Sequence, residues 1–174
     1  MANRSLMIAS VVTAAMLPLT ADAQMQRPVL TAASAQAIVE GCRTHAQAKH
    51  QSHGIAVYDA GGNPVAILRM DGSSPGVLAF AMEKAKAAAM WGFATSGMAE
   101  AVKSTPGFAN APGVVTVPGG LPIFTADGKA FLGGASASGE APTDDVACVA
   151  AGITAAGLKG RMTRRLHHGK VLPS

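Results

Sequence analysis

Cysteine is scarce in this sequence, which has two, Cys42 and Cys148, in 174 residues. Their spacing matches no metal-binding motif, so nothing in the sequence points to a thiolate metal centre. In an oxidising compartment the pair would be a disulfide, and otherwise two buried thiols in separate helices. The sequence leaves both open. Recognisable catalytic order is missing too: no Ser-His-Asp or Cys-His arrangement, no paired catalytic carboxylates and no metal tetrad stands out. His45, His50 and His53 lie close together but lack the i, i+4 pair with a carboxylate that a zinc helix carries. They read as surface or loop histidines. No internal repeat of solenoid length occurs.

Charge is also sparse, and it is unevenly placed. Residues 24–158 hold eight Lys or Arg against nine Asp or Glu, whereas residues 159–174 hold five basic residues and no acid. The formal net charge of +4 is therefore a property of the C-terminal end. With no basic stripe on the main body, a nucleic-acid partner is not expected. Lys159 to Ser174 reads as a frayed, solvated tail, with contact to anionic lipid or a partner as the alternative.

The N-terminus carries Arg4, an apolar run from Leu6 to Leu19 interrupted by Ser10, Thr13 and Pro18, and then Ala21-Asp22-Ala23. A charged start, a short apolar middle and a small-residue exit describe a secretory signal peptide over residues 1–23. The run is short for a membrane span. A buried first helix would be hard to reconcile with Pro18 and the A-x-A ending. The mature chain is expected to begin near Gln24 and to be periplasmic or secreted, as one domain over residues 24–158.

The domain is organised around Gly54 to Gly72. Two apolar runs, Ile55 to Tyr58 and Val65 to Met70, flank Asp59, Gly61, Gly62 and Asn63, the residue types of a tight reversal. This predicts a β-hairpin. Since both runs are apolar on both faces, the hairpin is expected inside a sheet covered on each side, with Arg69 and Asp71 as a salt-bridged strand end. Before it, Thr31 caps a helix to Ala48 whose stripe includes Ala35, Ile38, Val39, Cys42 and Ala46. After it, Ser73-Ser74-Pro75 opens an alanine-rich helix to Trp91, on which Lys84 and Lys86 read as a solvated face. Gly92 ends this helix, and Thr95 or Ser96 caps a short one through Lys103.

Pro106, Gly107, Asn110, Pro112 and Gly113 mark a loop, followed by an expected short strand from Val114 to Val117. Gly119 and Gly120 would bring backbone N–H groups to an approachable surface, suited to a ligand carboxylate or to a turn. Ile123 to Thr125 and Ala130 to Leu132 form a second hairpin about Asp127-Gly128. The small run Gly133 to Gly139 calls for close approach of a helix or a flat ligand. Thr143 then caps a last helix, with Asp144 and Asp145 at its positive end. The order predicts an α+β sandwich with about five antiparallel strands.

Taken together, Ile55 to Asn63, Arg69-Met70-Asp71-Gly72, Lys84-Ala85-Lys86-Ala87-Ala88, Pro118 to Ile123 and the small strand ending Ser138-Gly139 resemble the GlcG/HbpS family of haem-binding or haem-degrading-like domains. The family is also related to a domain of some cobalamin adenosyltransferases. The resemblance covers about Leu30 to Leu158. It implies a profilin-like three-layer sandwich, homo-oligomers built from dimers, haem as ligand and a partner sensor kinase. It also implies Thr95 as the residue at the iron, although a threonine oxygen is a weak ligand and the haem would be exchangeable. One departure is Ala135-Ser136-Ala137-Ser138-Gly139, where the family commonly has bulkier residues. Two further readings stand beside haem. In one, Arg69 or Lys84 holds a small organic acid with the Gly119–Gly120 amides as second anchor. In the other, the chain is a structural or signalling oligomer. Whether the protein is an enzyme is left open.

Overall fold

The computed structural model describes residues 26–162, so the expected signal peptide and most of the basic tail lie outside the described residues. Helix α1, Ala32–Ala48, starts at Thr31, whose hydroxyl accepts the Ser34 N–H at 3.1 Å. Strands β1, Gly54–Asp59, and β2, Pro64–Arg69, form the expected antiparallel hairpin. At its turn Asp59 Oδ1 accepts the N–H groups of Gly61 and Asn63, both at 2.9 Å, and Gly62 takes φ +78°. Helix α2, Pro75–Trp91, is capped by Ser74 and stopped by Gly92 at φ +69°. Then come α3, Thr95–Ser104, a 3-10 turn at Pro106–Asn110, strands β3, Gly120–Phe124, and β4, Phe131–Ser138, helix α4, Pro142–Ala155, and strand β5, Lys159–Gly160.

The five strands form one antiparallel sheet in the order β2-β1-β4-β3-β5. Alternation sends Ile55, Val57, Leu121, Ile123, Ala135 and Ala137 to one face, where Ile38, Val149 and Ile153 of α1 and α4 complete the main core. The opposite face carries Ala56 and Tyr58 against Ala81, Ala85 and Ala89 of α2. This is the α+β three-layer sandwich the sequence implies. The smallness of β4 is explained by α2: a Cβ on Gly134 would lie 2.4 Å from the Ala85 carbonyl oxygen, and Ser136 donates its hydroxyl to the Ala81 carbonyl. The close neighbour is a helix.

Several expectations need correction. Strand β1 is central and buried, but β2 is an edge strand with one partner, so its side chains are half-exposed. Val114 to Val117 form no strand, because Val114 and Val115 pack against the cluster of Phe93, Met98 and Phe108 instead. The fifth strand is Lys159–Gly160, pairing with Phe124 and Ile123 where a solvated tail was expected. Arg161 just beyond it lies 3.9 Å from the Phe124 ring centroid and donates to the Gly128 carbonyl. Helix α4 begins after Ala141 with Pro142 in its first turn, and Thr143 is not its cap.

Cys42 and Cys148 form a disulfide joining α1 to α4 across a sequence separation of 106. Closing a loop of that length in the unfolded chain is worth about 4–5 kcal/mol on the chain-entropy account. Among the described residues no helix is long and apolar enough to cross a membrane.

The turn makes a pH prediction. Backbone N–H donors, that of Asn63 first, hold the Asp59 carboxyl below its ordinary value of 3.8. A group with a depressed folded pKa contributes stability above its unfolded value and loses it as pH falls through the folded one. Asp59→Ala is expected to cost about 1 kcal/mol at pH 7 and progressively less below pH 3.8, in urea unfolding measured across that range.

Candidate functional site

Four of the five residues singled out from sequence meet at one end of the sheet. There β4 finishes, β1 starts, and the chain enters β3 through Gly119. Lys84, on α2, is fully buried, not part of a solvated face. Its Nζ lies 2.9 Å from Asp145 Oδ2 and donates to the Pro118 carbonyl at 3.2 Å. Asp145 is in the first turn of α4, 3% exposed, and its Oδ1 accepts the Glu140 N–H. His53, just before β1, is also fully buried and places Nδ1 3.2 Å from Asp145 Oδ1, so the surface reading of this histidine is wrong. Its Nε2 is buried with no hydrogen-bond partner among the described residues.

The glycine pair closes this node and does not open it. A Cβ on Gly119, at φ +128°, would lie 2.4 Å from Lys84 Nζ, and one on Gly120 would lie 2.5 Å from the Lys84 carbonyl oxygen. Only glycine admits the helix that close. Both residues are buried, so their amides do not form the approachable anion cradle expected. Gly120 N–H is already used: it donates to Thr95 Oγ1 at 3.1 Å. Thr95 is fully buried at the first position of α3 and does not cap it, since Ala94 is the N-cap. In this geometry its oxygen serves the backbone and presents no free surface to an iron.

Arg69 stands apart from the node. It is exposed, donates to the Ser73 carbonyl and makes no ion pair with Asp71. With Arg43 it lines a hollow of about 320 Å³ that also touches Gln47 and Asp71.

Burial pushes the Lys84 ammonium below its ordinary pKa of 10.5, and the Asp145 carboxylate acts the other way. One buried carboxylate thus neutralises one buried ammonium, with an imidazole beside it. No cluster of three His, Cys, Asp or Glu able to hold a metal occurs among the described residues. The sequence did contain a signal for Asp145, the pair Asp144-Asp145 at a helix start. That signal accounts for an exposed acid as well as a buried one, so it could not single this residue out.

Comparison with known proteins settles the family. The family described as "Haem degrading protein HbpS-like" matches residues 30–154. The chain belongs to this HbpS-like family. Protein GlcG of Escherichia coli strain K12 is 34% identical over 102 residues, 58% of this chain and 75% of GlcG. A double mutant of HbpS from Streptomyces reticuli superposes with a TM-score of 0.71 at 26% identity, covering 82% of this chain and 97% of that one. The PduOC–haem complex superposes with a TM-score of 0.67 at 21% identity, covering 76% and 98%, a likeness of fold. The HbpS-like match ends within α4, so it includes Lys84, Asp145, Thr95 and both glycines.

Because Lys84 and Asp145 neutralise each other out of water, removing one leaves the other uncompensated. Lys84→Met and Asp145→Leu are each expected to lower unfolding free energy by about 3–5 kcal/mol, and the double variant by clearly less than their sum. Additive losses in a urea double-mutant cycle would contradict the coupling.

Proposed function

We propose that the mature chain is an exported haem-binding protein. Membership of the HbpS-like family over residues 30–154 carries this reading. Two features of the structure are in keeping with it. The Cys42–Cys148 disulfide suits an oxidising compartment outside the cytoplasm. A cavity of about 550 Å³ with mainly apolar walls, among them Leu30, Phe131 and Leu132, falls within the range of cofactor sites. The described residues that line this cavity fit a porphyrin ring better than its iron: none is His, Cys, Met or Tyr, and Thr95 and His53 are buried away from it. Weak, exchangeable binding follows, as for storage or sensing. Thr95 then acts by fixing Gly120, not by touching metal. Self-association belongs to the same proposal, since Phe80, Met90 and Trp91 leave apolar surface exposed.

Haemin titration of the purified mature protein tests the reading. A saturable Soret change at about micromolar haemin is expected. An unchanged spectrum removes the proposal.

A small organic acid remains as a second reading, favoured by the two guanidiniums, Arg43 and Arg69, on one hollow. It no longer involves Lys84 or the glycine pair. In a thermal-shift screen of short mono- and dicarboxylates, any rise in Tm must disappear in Arg69→Ala. A rise that persists, or none at all, ends this reading.

A further inference from the structure

The 550 Å³ cavity lies at the hairpin end of the sheet, opposite in character to the buried polar node. Its walls come from three separate pieces of chain: Arg27 to Leu30 ahead of α1, the β1–β2 turn at Ala60, and the start of β4 at Phe131 and Leu132. A second hollow of about 340 Å³ shares Pro28 and Ala130 with it and extends to Lys129. The two make one groove running past both hairpin turns. Val29 is 76% exposed there, although a side chain of its size and polarity gains from being covered.

The charges along this groove are not evenly available. Asp59 accepts two backbone N–H groups within its own turn, and Asp127 accepts the Thr125 hydroxyl and the Lys129 N–H within the other. Both acids are therefore committed to turn geometry. Arg27 makes no hydrogen bond or ion pair with any described residue, and Lys129 Nζ has only a 3.9 Å contact with Asp127 at 87% exposure. An apolar trough with Arg27 lining one hollow and Lys129 the other, neither held closely by a described acid, matches an apolar body carrying carboxylates. Among the described residues neither hollow is lined by His, Cys, Met or Tyr, so none of them offers the groove a usual axial ligand for iron.

Resting on the haem reading above, we propose that this groove seats the porphyrin, that Arg27 and Lys129 meet its carboxylates, and that recognition is of the ring and not of the metal. Metal-free protoporphyrin is then a ligand of the same standing as haemin.

The test titrates the purified mature protein with haemin and with metal-free protoporphyrin, by absorbance and porphyrin fluorescence, in wild type, Arg27→Glu and Val29→Asp. Both substituted side chains are exposed and lie outside helices and strands, so thermal unfolding is expected to be unchanged. The two ligands should bind wild type with Kd values within about threefold of each other, and each variant should weaken both by about tenfold or more. Haemin binding that survives in both variants, or haemin bound where metal-free protoporphyrin is not, overturns the groove assignment while leaving haem binding intact. Failure of wild type to bind either ligand overturns the haem reading, and the groove with it.

Discussion

Asp145 takes a carboxylate out of water at the start of α4, and much of the architecture answers to it. Lys84 comes from the helix on the opposite face of the sheet, reaches around the end of β4, and meets that carboxylate at 2.9 Å. His53 approaches from the loop before β1. Two helical layers and the sheet between them are thereby tied at one point. Burying such a pair yields little net stability, because desolvation of both ions offsets their attraction. What it does supply is a penalty for any other register of α2: a slip by one residue would strand two charges in the interior.

The glycines follow from that constraint. Lys84 can reach Asp145 only if α2 lies almost in contact with the strands, and a side chain at Gly119, Gly120 or Gly134 would collide with α2 atoms at 2.4–2.5 Å. Thr95 then closes the arrangement by accepting the Gly120 N–H, which has no outlet to solvent. The residues of this region, all within the span of the HbpS-like match, are thus intelligible as packing requirements. The surface proposed to face the ligand lies elsewhere, on turns and on the extended segment before α1, where side chains are free of such demands.

Sequence patterning made much of the scaffold legible. The Asp59–Asn63 reversal, the Thr31 and Ser74 caps and the Gly92 stop are local devices whose chemistry is complete within a few residues. The Val114–Val117 error has the opposite origin. Its residues suit a strand, but Phe93, about twenty residues earlier and stacked on Phe108, gives Val114 and Val115 a better place to be buried. Lys159–Gly160 was missed because two residues carry no period, and only the open edge of β3 selects them.

By itself the sequence determined the helices, the two hairpins, their order and the family resemblance, since hydrophobic period, caps and turn residues act over short range and leave a trace in composition. Tertiary structure alone decided which charges are buried, that Cys42 meets Cys148, that β2 is an edge, and that Thr95, Lys84 and the glycine pair form an interior joint with no open face. Burial and pairing depend on what arrives from far along the chain. A lysine on an alanine-rich helix looks the same in sequence whether water or an aspartate waits at its end.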